Sequence, residues 1–122
     1  MSYLLMIEYI ATIGRNVPDM HDQRDDVTGE RIQTPMSDAQ WHQFVEDVVA
    51  DMLSAVPSDI CELHLGSGVW DGVEEESAKI TLRRSAEASP EMLSELRRLL
   101  SENARKYGQD AIALTIGTSE LC

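Results

Sequence analysis

Basic residues are scarce in this chain of 122 residues, which has 10 lysines and arginines against 22 aspartates and glutamates. The resulting net charge of −12 repels nucleic acid and anionic membrane surfaces, so we expect neither as a partner. The same charge favours high solubility or a basic protein partner. It leaves open a protein of the DNA-mimic type, an acidic inhibitor that occupies the basic groove of another protein.

Cysteine is also scarce, because the chain has only Cys61 and Cys122, 61 positions apart. This spacing matches neither a metal-binding pair nor a disulfide framework, so we predict free thiols and a cytoplasmic protein. Cys61 is predicted to be a small core residue, and Cys122 is predicted to be too mobile for catalysis.

No apolar run is long enough to span a bilayer. The longest, residues 3–13, is interrupted by Glu8 and lacks the basic start and small-residue cleavage pattern of a secretion signal. Its remaining residues form strands readily, and both faces of the pleat are largely apolar. We therefore predict a central strand that is covered on both sides.

Familiar catalytic motifs are absent. There is no phosphate-binding glycine loop, no nucleophile elbow and no metal-binding pair of histidines, so we predict no cofactor and no metal. His21 and the aspartates of residues 19–35 suggest a metal site, but they lack the spacing of a calcium loop. We predict instead a polar mobile loop at about residues 15–36.

Two helices are predicted from their caps and their apolar periodicity. Ser37 and Gln40 form a capping-box pattern before an amphipathic stretch that ends near Ala55. Ser89 supplies a second N-cap, and Gly108 ends the helix that follows it.

A β-hairpin is predicted around Asp71 and Gly72, between the strand-like residues 60–70 and 73–84. A two-residue turn pairs residues whose numbers sum to 143. The face predicted to lie in the core then contains Cys61, Leu63, Leu65, Ala78, Ile80 and Leu82. A last strand is predicted over residues 110–118, with a frayed tail after it.

The order of elements predicts an α+β fold with one domain over residues 1–122. Two right-handed crossovers in one sheet give a ferredoxin-like βαββαβ arrangement, a four-stranded antiparallel sheet of order 4-1-3-2 with two helices on one face.

The opposite, open face of the sheet is the candidate binding surface. Its predicted interface residues are Met6, Glu8, Ile10, Glu62, His64, Trp70, Lys79 and Arg83. Met6, Ile10 and Trp70 would leave an apolar surface in water, while the charges could meet complementary charges on a second copy. We therefore predict a homodimer through the sheet face, with a foreign protein partner as the alternative.

Two segments resemble small uncharacterised proteins of bacteria and of actinobacterial phages. One contains Gly68-Val69-Trp70-Asp71-Gly72 and Glu75-Glu76-Ser77-Ala78, and the other is Tyr107-Gly108-Gln109-Asp110-Ala111-Ile112-Ala113-Leu114-Thr115. The resemblance covers roughly the C-terminal half. It implies a ferredoxin-like module that can be phage-encoded and would then act in the host cytoplasm, with no assigned activity and no catalytic residues to transfer.

Three functions stay open at this point. We favour an oligomeric interaction or regulatory module, which could act on a host protein. The acidic inhibitor is the second possibility. The third is a small enzyme with a pocket over the open sheet face, for which His64 is the best candidate general base, although a histidine on a strand more often belongs to an interface.

Overall fold

The computed structural model describes residues 4–18, 23–29, 32–70 and 72–122. Within these ranges the chain has a mixed α+β architecture of six strands and two helices. In chain order they are β1 (Leu4–Gly14), β2 (Asn16–Pro18), β3 (Gln33–Pro35), α1 (Asp38–Ala55), β4 (Ile60–Trp70), β5 (Val73–Arg84), α2 (Pro90–Lys106) and β6 (Ala113–Leu121).

Four strands form an antiparallel sheet in the order β4-β5-β1-β6, and β2 pairs with β3 in a separate ribbon. The predicted four-stranded antiparallel sheet with two helices is confirmed. The numbering differs from the predicted order 4-1-3-2, because β2 and β3 were expected to be loop and they shift the numbers of the later strands. β1 is central, between β5 and β6.

The hairpin register is the predicted one along its whole length. Cys61 pairs with Leu82 near the open end, and Trp70 pairs with Val73 beside the turn. Gly72 has a positive φ of 80°, a conformation that glycine adopts without steric cost. No bulge interrupts this ladder in the residues described, so successive side chains of β4 alternate between the two faces of the sheet.

Both helices begin at the predicted caps. The Ser37 hydroxyl accepts a hydrogen bond from the backbone N–H of Gln40 at 3.2 Å, and the Gln40 side chain accepts one from the N–H of Ser37. The Ser89 hydroxyl accepts from the N–H of Met92 at 3.1 Å. Gly108, with φ 68°, follows the last turn of α2. Removing an N-cap side chain of this kind typically costs about 1 kcal/mol.

The two helices pack on one face of the sheet and bury a single core with it. The buried residues include Tyr9, Ala11, Ile80 and Leu82 from the sheet, and Phe44, Val48, Met52, Leu96 and Leu100 from the helices. Each fully buried large apolar side chain contributes about 1.5–3 kcal/mol. The hydroxyl of Tyr9 reaches through this layer and accepts a hydrogen bond from the N–H of Ala88 at 2.9 Å.

The helices are also joined to each other by an aromatic contact and a polar cluster. Phe44 stacks on Tyr107, with ring centroids 4.5 Å apart. Asp47 of α1 accepts hydrogen bonds from the Tyr107 hydroxyl and from Lys106 Nζ, the latter at 3.0 Å. The Tyr107 hydroxyl, followed by Lys106 and Gln43, lowers the pKa of the Asp47 carboxyl. A charged carboxylate with several donors therefore holds α1 to the end of α2.

The predicted core assignment of β4 is wrong. Ala78, Ile80 and Leu82 of β5 are fully buried, but Leu63 is 46% exposed, Leu65 is 69% exposed, and Cys61 is exposed as a free thiol. The alternation of side chains along a strand shows which face of the sheet a residue occupies. A residue on that face is buried only where a helix packs over it. The helices cover the central strands and leave this edge strand partly open.

The segment predicted as one loop at about residues 15–36 contains β2 and β3, and Met36 is buried in the core. Arg15 holds the end of this excursion, since its Nε donates to the Met36 carbonyl at 2.9 Å and its guanidinium pairs with Asp38 and Glu76. His21 and Asp22, part of the suggested metal site, lie outside the described residues. Among those described, no group of three or more histidine, cysteine, aspartate or glutamate residues could hold a metal ion.

The last strand lies three residues later than predicted. β6 runs to Leu121 because Leu4 and Leu5 of β1 pair with Leu121 and Glu120, so residues 119–121 are not a frayed tail. No helix in the described ranges has both the length and the apolar character needed to cross a membrane.

Candidate functional site

A cleft of about 380 Å³ lies at the hairpin end of the open sheet face. Four segments meet there: the end of β1, the ribbon of β2 and β3, the hairpin ends of β4 and β5, and the connection between α2 and β6. The lining residues are Thr12, Ile13 and Gly14, then Asn16, Pro18 and Gln33, then Ser67, Gly68, Val69, Trp70, Glu75, Ser77 and Lys79, and finally Gln109, Asp110, Ala111 and Ala113.

The floor of the cleft is low because its residues are small. Gly68 of β4 pairs directly with Glu75, and Gly14 of β1 pairs with Ser77. A Cβ atom at Gly14 would lie 2.3 Å from Glu75 Oε1, too close for any real contact. Gly14 is therefore the residue that allows the Glu75 carboxylate to lie across the sheet.

Glu75 is one of three ionisable residues that line the cleft, with Lys79 and Asp110. Its carboxylate is partly buried, and its Oε2 accepts a hydrogen bond from the backbone N–H of Asn16 at 2.8 Å. Burial raises the pKa of the Glu75 carboxyl, and the Asn16 hydrogen bond opposes that rise. Arg15 is nearby, but it pairs with Glu76 and Asp38, and no lysine or arginine in the described part of the chain forms an ion pair with Glu75. A partly desolvated carboxylate without a cationic partner favours a cationic ligand or a proton.

Side-chain amides connect the walls of the cleft in a chain of hydrogen bonds. Gln109 Nε2 donates to the carbonyl of Asn16 at 2.9 Å, and Asn16 Nδ2 donates to Gln33 Oε1 at 3.2 Å. Gln33 Nε2 then donates to the carbonyl of Trp70 at 3.3 Å. The ribbon is thus fastened to the helix connection on one side and to the hairpin on the other, which gathers side-chain amides at the cleft.

Two of the predicted interface residues belong to this cleft. Trp70 is 53% exposed and Lys79 is exposed, and both line it. They lie on the open face, as the register predicted.

Four others form an ionic network farther along the open face. Arg83 Nε donates to Glu8 Oε1 at 2.8 Å, and the same guanidinium also pairs with Glu62. His64 Nε2 lies 3.0 Å from Glu62 Oε2. The hydrogen bonds with His64 and Arg83 lower the pKa of the Glu62 carboxyl. His64 therefore lies beside a carboxylate and is not among the residues that line the cleft, so its role as a general base stays a prediction.

The remaining two do not form the expected exposed apolar surface. Met6 is only 2% exposed in a single chain, and Ile10 is partly buried. Met6 lies at the far end of the sheet, where its partner in the ladder is Ser119 of the extended β6. Because Met6 is buried within a single chain, an aspartate there would disturb the monomer as well as any interface.

Most residues of the cleft belong to no motif in the sequence. Glu75 was part of an ordinary acidic hairpin end, and Asn16, Gln33 and Gln109 lay in or near polar connections without a motif. The sequence feature that could have indicated the cleft is glycine within strands, at Gly14 and Gly68. Such glycines often mark a site where another group approaches the backbone closely.

No protein-family model matches the chain, and no curated protein does. Among solved structures, a phage SAM lyase in complex with S-methyl-5′-thioadenosine is similar, with a TM-score of 0.54 at 16% identity over 95% of this chain and 88% of that chain. The de novo designed protein Foldit4 has a TM-score of 0.41 at 13% identity over 97% of both chains. At 16% identity the likeness to the phage enzyme concerns the fold. None of these comparisons names the family of small uncharacterised proteins noted above.

Proposed function

We propose that the cleft binds S-adenosylmethionine and that the protein is a lyase that releases S-methyl-5′-thioadenosine from it. The observation that carries this proposal is the Glu75 carboxylate, which is partly buried and has no cationic partner among the described residues. The shared fold supports it, because the similar phage enzyme is a SAM lyase with S-methyl-5′-thioadenosine bound.

The electrostatics of the cleft suit this substrate. S-adenosylmethionine has a permanently cationic sulfur, and Glu75 offers a carboxylate whose burial strengthens attraction to a cation. Two opposite charges 4 Å apart attract by about 4 kcal/mol in surroundings of intermediate polarity. Once the sulfur has become neutral in S-methyl-5′-thioadenosine, this attraction is lost, so the product should leave more easily than the substrate.

The rest of the cleft suits an adenosine group. Its volume of about 380 Å³ lies in the range of small-molecule sites. Trp70 lines the cleft and is 53% exposed, and stacking of a base on an aromatic ring contributes about 1–3 kcal/mol. The amides of Asn16, Gln33 and Gln109 provide the donors and acceptors that can recognise an adenine edge or a ribose.

The chemical step breaks the bond between sulfur and the γ-carbon of the amino-acid fragment. The bonding electron pair returns to sulfur, which loses its positive charge. Because a lyase adds no water, the fragment must complete its own valence, by attack of its carboxylate on that carbon or by loss of a proton. In both cases the cleft has to hold the sulfur in place and exclude water. Glu75 would hold the sulfur in place. The raised pKa of its carboxyl also suits Glu75 to accept a proton.

The test compares Glu75→Gln with Glu74→Gln, a change of the exposed neighbour that removes the same charge outside the cleft. Calorimetry should give a dissociation constant for S-adenosylmethionine at least tenfold higher for Glu75→Gln, with little change for neutral S-methyl-5′-thioadenosine. Chromatography should show formation of S-methyl-5′-thioadenosine reduced by about 10²-fold or more. Glu74→Gln should behave as wild type. Wild-type protein that neither binds nor cleaves S-adenosylmethionine would refute the proposal.

We also propose that the fold is ferredoxin-like and that the protein is of phage origin. The four-stranded antiparallel sheet with two helices on one face supports the first, and the likeness to a phage enzyme supports the second. An acidic inhibitor and a regulatory interaction module stay predictions of the sequence.

A further inference from the structure

An apolar groove of about 600 Å³ lies between α1 and β4, on the helix side of the sheet and separate from the cleft. Trp41, Val45 and Val49 line it from the helix, and Leu63 and Leu65 line it from the strand. Leu65 is the more exposed of the two leucines, at 69%. Adjacent apolar side chains left in water are typical of a surface that another protein covers.

The strand beside the groove is also an unprotected edge. β4 is 11 residues long and is the outer strand of the sheet. Edge strands are usually blunted by lysine, proline or a bulge. β4 contains no lysine, arginine or proline, and it pairs with β5 without interruption in the described residues. Such an edge can accept a further strand.

The backbone groups available at this edge follow from the hydrogen bonding inside the sheet. The N–H of Arg15 donates to the carbonyl of Glu76 at 2.9 Å, in register with the pairing of β1 and β5. The even-numbered residues of β5 therefore form backbone hydrogen bonds with β1. The odd-numbered residues of β5 form theirs with the even-numbered residues of β4. The odd-numbered residues of β4 direct their N–H and C=O groups outward: Cys61, Leu63, Leu65, Ser67 and Val69.

We infer that this edge pairs with β4 of a second copy of the chain, antiparallel, about a twofold axis at Leu63. The outward backbone groups of Leu63 would then bond to Leu63 of the partner subunit. On the open face, Glu62 would lie opposite His64 of the partner subunit, and symmetry repeats the pair. These are positions without mutual backbone bonds, where opposed side chains come closest.

Charge complementarity selects this register among its neighbours. A carboxylate and an imidazole can share a hydrogen bond, so each copy supplies both members of the contact. An axis at Glu62 would bring two glutamates together. An axis at His64 would bring two histidines together, and an axis at Leu65 would place Gly66 opposite His64. Only the axis at Leu63 adds a contact between Glu62 and His64 of the partner subunit to the pairs that each chain already forms. On the helix side the axis at Leu63 brings Leu65 over Cys61 of the partner subunit, so the two grooves cover each other.

A cysteine crosslink tests the register directly. In a background with Cys61→Ser and Cys122→Ser, Leu63→Cys places two thiols at the axis, where the Cα separation of paired strands permits a disulfide. Ser67→Cys is the control, because residue 67 would lie opposite residue 59 and the two thiols would be about 26 Å apart. After mild oxidation, non-reducing electrophoresis should show a covalent dimer for Leu63→Cys and none for Ser67→Cys. Equal crosslinking, or none from either, would overturn the register.

Sedimentation of the protein with its native cysteines tests the association itself. Wild type should sediment as a dimer at 100 µM, and Leu65→Lys should weaken the dimer at least tenfold. The thermal unfolding of the two proteins should agree at a concentration low enough that both are monomers, since Leu65 is exposed in the monomer. Ile116→Lys is the matched control on the other edge strand, where Ile116 is 46% exposed. A monomeric wild type, or a dimer lost with Ile116→Lys and kept with Leu65→Lys, contradicts the inference.

Discussion

At the residue scale, Gly14 and Glu75 act as a pair. The side chain missing at Gly14 leaves the space that the Glu75 carboxylate occupies, and the Asn16 N–H fixes the carboxylate there. A carboxylate is the flexible end of its side chain, so it can move away from a new methyl group at small cost to stability. It would then enter solvent and lose the burial that raises its pKa.

Gly14→Ala should therefore weaken binding in the cleft and leave the stability of the fold nearly unchanged. We expect the denaturant midpoint to change little, the pKa of the Glu75 carboxyl in an NMR titration to return towards its ordinary value, and binding of S-adenosylmethionine to weaken at least tenfold. Gly66→Ala is the control, because a Cβ there meets nothing within 4 Å. A Glu75 pKa that stays raised in Gly14→Ala would show that Gly14 does not position the carboxylate.

At the scale of elements, Asp47 joins the two helices. Its folded pKa is lowered, so the stabilisation it provides is present above the unfolded pKa of about 3.9 and is lost as the pH falls through the folded pKa. Asp47→Asn should reduce the free energy of unfolding by about 1–2 kcal/mol at pH 7. Urea unfolding of both proteins should show this difference shrinking as the pH falls below about 4.

Tyr107→Phe provides the control for that prediction, since it removes the hydroxyl donor and keeps the stacking on Phe44. The double variant should lose less stability than the sum of the two single changes, because both remove the same hydrogen bond. Additive losses would mean that Asp47 stabilises the helices through Lys106 and Gln43 instead.

Elements whose signals are local could be predicted from the sequence. The helix caps are local signals, since Ser37 with Gln40 and Ser89 each mark the start of a helix. The Asp71-Gly72 sequence likewise predicts a two-residue turn, and the hairpin register follows from it. Burial by a neighbouring element is not a local property, since Leu63 and Leu65 face the helix layer but are only partly covered by it. The cleft could not be predicted because its walls come from four separate segments.

At the scale of the molecule, the charge of −12 distinguishes self-association from binding to a basic partner. Two copies repel each other, and salt shortens the range of that repulsion from about 30 Å at 0.01 M to about 8 Å at 0.15 M. The dimer should therefore tighten severalfold between 0.01 and 0.3 M NaCl, as measured by sedimentation. An acidic inhibitor would bind its basic partner less tightly over the same range. Dimerisation that weakens with salt would mean that ion pairs dominate the interface.

Arg15 has a consequence for how this chain could change in length. The N–H of Met36 donates to the Arg15 carbonyl at 3.0 Å, and the guanidinium holds the Met36 carbonyl in return, so the excursion between them starts and ends at one point. For a loop with fixed ends, doubling the number of residues adds only about 0.6 kcal/mol of closure entropy. Insertions between Pro18 and Gln33 could therefore accumulate while the sheet and helices stay unchanged, which makes this excursion a place where related chains can diverge or a foreign segment can be carried.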